Sequence, residues 1–141
     1  MPNIDKTTFI AAAVAGFFAT QALAISLGEF EYQNSCSQCH GTSGKGDGPV
    51  TDFLSGAAPS DLTMLQQNNG GVFPVNAVYT LIDGSMTEGV HGTRDMPMWG
   101  NRYRARTLDS PDYAFSPEAT EAYVRTRILS LIEYLSTIQA E

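Results

Sequence analysis

The residues best equipped for chemistry lie in one run of five, Cys36-Ser-Gln-Cys39-His40. Two thiols three positions apart, followed directly by an imidazole, admit three kinds of site. A redox-active dithiol would use the same two cysteines, but that motif belongs after a strand in a βαβ setting, and no alternating run precedes Cys36. A structural zinc ion takes four ligands, and beyond these three residues only His91 remains. The third site is a covalently attached haem, in which each thiol adds to one vinyl group and the adjacent histidine binds the iron. Two cysteines on one helical turn can reach both vinyls, and the next residue then points its ring beneath the centre of the macrocycle. This reading uses every cysteine in the chain and explains the order of the letters.

An iron held by His40 on one face has a second axial position, and that position decides its use. A strong protein ligand makes an electron carrier, whereas an open position admits small molecules or peroxide. The candidates are His91, Met96 and Met98, around the segment Asp95-Met-Pro-Met-Trp-Gly100. A methionine in a loop ordinarily packs. Here Pro97 stiffens the backbone after Met96, and Trp99 follows two residues later.

These groups need elements to hold them. Gly28, Tyr32 and Cys36 recur every four residues, which predicts a helix from Gly28 to about Cys39 with the three on one face. A long C-terminal helix is predicted from Ser116 as N-cap, Pro117 at the first position and Glu118 and Glu121 in the first turns. Its core stripe is Ile128, Leu131, Ile132, Leu135 and Ile138, flanked by Tyr134. Two shorter helices are expected over 58–67 and 74–84, the latter stopped by Gly84. Gly41 to Pro49 carries four glycines and reads as a loop, and His91 to Phe115 reads as one long connection. No β-alternation or internal repeat is present. The expected class is all-α, with few helices, much loop and room for a large apolar group at the centre.

The chain resembles the class I c-type cytochromes over nearly all of residues 25–141. CSQCH matches their haem attachment motif, the glycine-rich run after His40 resembles the loop of bacterial members, and "DMPMWG" resembles the M-P-x-W form of their distal loop. Gly28 and Tyr32, with Leu131 and Tyr134, match the family's crossing of terminal helices. The resemblance implies a cytochrome c fold wrapped around one haem c, thioether bonds to Cys36 and Cys39, and His40 as proximal ligand through Nε2. It makes Met96 the distal ligand, because the methionine before the proline takes that role, with Met98 as fallback and His91 a loop histidine. Pro49 would offer its carbonyl to the histidine Nδ1–H, although it reads equally as a turn proline after Gly48. Trp99, Arg94, Arg102 and Tyr103 lie near enough in sequence to donate to haem propionates, and the resemblance favours the Trp99 indole most. The run Asn101 to Arg106 reads equally as a solvated loop, or as a docking edge.

Composition bounds the rest. The length, 141 residues, suits one domain, and 43% hydrophobic against 16% charged residues is an ordinary globular balance. The net charge of -7 argues against nucleic acid, whose phosphates want a basic face, and favours a redox protein partner with a basic docking surface. Residues 1–24 have the layout of a signal peptide: a polar start with Lys6, an apolar run from Phe9 to Ala19, and small residues up to Ala24. The apolar run is well short of the roughly 20 residues that span a bilayer, so no permanent membrane span is expected. The expectation is a periplasmic monohaem electron carrier rather than an enzyme. A haem subunit of a dehydrogenase or oxidase complex is the alternative, and a gas-binding or peroxide-reactive haem protein the third.

Overall fold

The computed structural model describes residues 25–54, 57–85, 96–110 and 114–140, and all regular structure among them is helical. The first 24 residues, and with them the expected signal peptide, lie outside this set, as do His91 and Arg94.

Helix α1, Leu27–Ser35, starts on Ser26, whose hydroxyl accepts from the Glu29 N–H at 3.1 Å. The helix expected to run to Cys39 is two pieces. The backbone bends at Cys36, and a single turn, α2 (Ser37–His40), follows. The amides of Cys39 and His40 both reach back to the Cys36 carbonyl, at 3.1 and 2.9 Å, so the thiols still sit one turn apart. A glycine-rich loop comes next, with Gly41, Gly44 and Gly46 at positive φ.

The helix expected over 58–67 is shorter. Asp61 accepts from the Thr63 N–H at 2.8 Å and delays the start to a 3₁₀ turn, Leu62–Met64, which leads into α3, Leu65–Asn68. Helix α4, Val75–Asp83, follows Pro74 and ends at Gly84 in the left-handed conformation, as its sequence predicts. The long connection expected over 91–115 is corrected by a ten-residue helix, α5, at Trp99–Leu108. It forms because Trp99, Tyr103 and Thr107, four apart, share one buried face. Helix α6, Pro117–Thr137, has the predicted start, with the Ser116 hydroxyl accepting from the Ala119 N–H at 3.2 Å.

The core is the crossing of α1 and α6, with α4 and α5 laid against α6. Ile128, Leu131, Ile132 and Leu135 are buried as the stripe predicts, and Ile138 is half-buried. Gly28 sits at the crossing itself, where an added Cβ would collide with the Ser130 carbonyl. Tyr32 is fully buried, with its ring 5.1 Å from that of Tyr134. Its hydroxyl donates to the Gly41 carbonyl at 2.6 Å, tying α1 to the glycine loop. At the C-terminus, Gln139 accepts from the Gln66 N–H at 2.9 Å and donates to the Leu62 carbonyl at 2.9 Å. No helix among the described residues is long and apolar enough to cross a membrane.

Gly84 carries two separate demands, a φ of +84° and a contact in which an added Cβ would lie 2.7 Å from Met98 Cγ. Gly70 has a similar φ, +68°, with nothing near it. Gly70→Ala should therefore cost about 1–2 kcal/mol for backbone strain alone. Gly84→Ala should cost a further ~1–3 kcal/mol for displacing Met98. Urea unfolding reads both as lower midpoints at unchanged slope.

Candidate functional site

Cys36 and Cys39 are free thiols at the join of α1 and α2. Cys36 packs against the core, and burial pushes its thiol up to about 12, with the nearby Glu31 and Cys39 adding to the rise. An unreacted thiol there is neutral at physiological pH. The Ser35 hydroxyl beside it is buried with no hydrogen-bond partner.

His40 follows as the last residue of α2. Its Nδ1 lies 3.0 Å from the Ser60 carbonyl oxygen. A carbonyl can only accept, so Nδ1 carries the proton and Nε2 keeps its lone pair. Burial holds the imidazole below its usual range, and the Ser60 bond partly opposes that shift. A neutral ring with a fixed tautomer and a free Nε2 is what an iron ligand requires. The carbonyl is not that of Pro49, as the family pattern implied. Pro49 is exposed in the turn after Gly48, and the chain brings Ser60 across the loop instead. The glycines make that approach possible: Leu62 N–H donates to the Gly44 carbonyl at 2.6 Å, and the Gly46 backbone lies directly against the Pro59 carbonyl. Sequence reading missed Ser60 because loop-to-loop contact leaves no periodic trace. The only local signal is its place between Pro59 and Asp61, the residue that caps the following turn.

The other half of the loop pins α2 from below. Gly46 N–H donates to the His40 carbonyl at 2.8 Å, Gly48 N–H to Cys39 at 3.1 Å, and Val50 N–H to Gln38 at 3.1 Å. The Thr51 hydroxyl also donates to the Cys39 carbonyl, at 3.2 Å. These bonds meet the carbonyls that a four-residue helix leaves open at its end.

The two methionines are in different surroundings. Met96 is half-buried and packs against the same apolar core as Cys36, Leu62, Leu65, Phe73 and Tyr79. Met98 is 45% exposed and lies across Gly84, next to the start of α5. Trp99 is buried, and the Arg102 guanidinium covers its ring at 5.0 Å. Arg102 itself is exposed. Tyr103 is fully buried, but its hydroxyl donates to Glu31 Oε2 at 3.1 Å, so its proton is already committed and it is not a propionate donor. Residues 101–106 are helix rather than loop, with Asn101, Arg102, Ala105 and Arg106 exposed to solvent. Arg104 is held by Asp83 at 3.1 Å and by both oxygens of Glu121 at 2.7 and 2.9 Å, which clamps α5 to α4 and α6.

Among the described residues, no three His, Cys, Asp or Glu side chains gather into a group that could hold a metal ion by themselves. The donor set nevertheless suits a haem: two unpaired thiols on one turn, an imidazole with Nε2 unengaged, and a thioether at the shared core. Neither a family model, nor a curated protein, nor a solved structure matches this chain.

Proposed function

We propose that this protein is a monohaem c-type cytochrome that carries single electrons between redox partners, with residues 1–24 directing its export to the periplasm. The observation that carries the reading is the His40 Nδ1 bond to Ser60, directly after two unpaired thiols on one turn. Haem c, when bound, supplies one-electron cycling between Fe(II) and Fe(III). Cys36 and Cys39 tether it through thioether bonds, and His40 offers Nε2 to the iron. The Ser60 carbonyl orients that imidazole and raises its basicity. Met96 offers a soft, neutral sulfur from the apolar core, against which Leu62, Leu65, Phe73 and Tyr79 also pack. Met98, resting on Gly84, is a packing residue.

The test is the intact mass of the protein from a host that attaches haem to exported chains. It should equal residues 25–141 plus one haem and should survive acid–acetone extraction. Haem released to the organic phase would overturn the covalent assignment. Carbon monoxide, added to the reduced protein at neutral pH, should bind slowly or not at all. Prompt binding would favour the gas-binding or peroxide-reactive reading.

A further inference from the structure

Among the described residues Glu31 is the one charged side chain that is buried, with 1% of its surface exposed. It lies on α1 five residues before Cys36 and meets groups from two other helices. Tyr103 of α5 donates to Oε2 at 3.1 Å, Arg127 of α6 donates to Oε1, and Arg106 of α5 stands 3.8 Å from Oε1. Arg106 is 41% exposed and covers the Tyr103 ring at 5.8 Å, whereas the Arg127 side chain is 23% exposed. Glu31, Tyr103 and Cys36 are near enough that the carboxylate raises both the phenol and the thiol.

Nothing in the proposed carrier function uses this cluster, and stability alone is a poor reason for it. A buried ion pair often does no better than well-packed apolar residues of the same volume, because both charges must leave water. The rest of the α1–α6 crossing is built from such residues, Tyr32, Ile128 and Leu131 among them. A fixed charge beside a tethered redox group has an effect that apolar packing lacks. It acts through a weakly screened interior on whichever oxidation state carries more positive charge.

We infer that Glu31 and Arg127 are a paired tuning device for the group attached at Cys36, the carboxylate stabilising the oxidised form and the guanidinium the reduced form. The inference rests on the haem reading and goes beyond it, since neither residue binds or ligates the cofactor. Tyr103 and Arg106 hold the carboxylate in place.

The experiment is a spectroscopic redox titration of the holoprotein at pH 8. Glu31→Gln keeps the shape and much of the hydrogen bonding but removes the charge. At fixed ambient potential it should raise the reduced-to-oxidised ratio by about tenfold, the scale of one unit charge at roughly 10 Å in a protein interior. Arg127→Gln should move the ratio the other way by a similar factor. Arg106→Gln, at the exposed rim, should move it in the Arg127 direction by less, and its exposure makes it a safe variant to fold. Glu133→Gln, an exposed acidic control on α6, should change it less than about twofold. A merely structural role would loosen the fold in each variant and shift the ratio in one common direction. Shifts of common sign, or none beyond the control, overturn the inference. A purified protein without covalent haem would instead defeat the carrier reading itself, and the two failures are thereby distinct.

Discussion

Met96→Ala should abolish the iron–sulfur charge-transfer absorption of the ferric protein, and Met98→Ala should leave it intact. The two methionines stand two residues apart, but the fold separates their uses. Met96 turns to the core that also receives Cys36, while Met98 spends its side chain on Gly84. A thioether ligand stabilises Fe(II) relative to a second imidazole, so its loss changes both spectrum and reactivity. The reduced Met96 variant should bind carbon monoxide readily, since its sixth position is open or held only by water. Met98→Ala, at a site 45% exposed, should cost little stability and leave carbon monoxide resistance unchanged. Absorption that survives in Met96→Ala and vanishes in Met98→Ala would reverse the assignment and require Met98 to leave Gly84 when the haem is bound. Survival in both variants would remove methionine ligation from the account.

The second large effect is at Gly28, where α1 and α6 touch backbone to backbone. The nearest obstacle to a side chain there is the Ser130 carbonyl, a main-chain atom inside a 21-residue helix that cannot rotate away. Tyr134 Cβ lies 2.9 Å from the same point. Gly28→Ala should therefore separate the two helices and lose about 2–3 kcal/mol, near the upper range for overpacking. Gly28→Val should lose more and leave little folded protein, given that a whole domain is stable by only about 5–15 kcal/mol. The helix propensity gained by replacing glycine, up to ~1 kcal/mol, acts in the opposite direction and is too small to compensate. Denaturant midpoints of the two variants check the order. A Gly28→Ala protein as stable as the parent would show that the crossing can relax.

Which parts of this structure the sequence reveals follows from the range of the forces involved. Ser116, Pro117 and Glu118 specify the start of α6 within one turn, and the Gly28, Tyr32, Cys36 spacing locates the crossing face of α1. Both signals are local and periodic. Helix α5 has such a signal as well, in Trp99, Tyr103 and Thr107, but three arginines hide it by making the segment look like a solvated loop. Two of them, Arg104 and Arg106, are met by Asp83, Glu121 and Glu31, which lie far from them in the chain. The third, Arg102, stays exposed over the Trp99 ring. The same limit applies to the site. Cys36, Cys39 and His40 are contiguous and announce themselves, whereas the Ser60 carbonyl is 20 residues from the ring it fixes. No spacing rule distinguishes it from Pro49.

The partners of α1 have a bearing on the order in which this chain can close. Gly28 meets Ser130, Tyr32 meets Tyr134, and Glu31 meets Arg127 across 96 positions. A polypeptide made from its N-terminus presents α1 and both cysteines long before those partners exist. Throughout that interval both thiols face whatever the surroundings contain, and Cys36 is covered only once the core to which α6 contributes has formed. The last helix thus acts as a timer on the reactivity of the first. A nascent chain halted before Arg127 should keep Cys36 open to a thiol-directed label, and release of the full chain should shut the window.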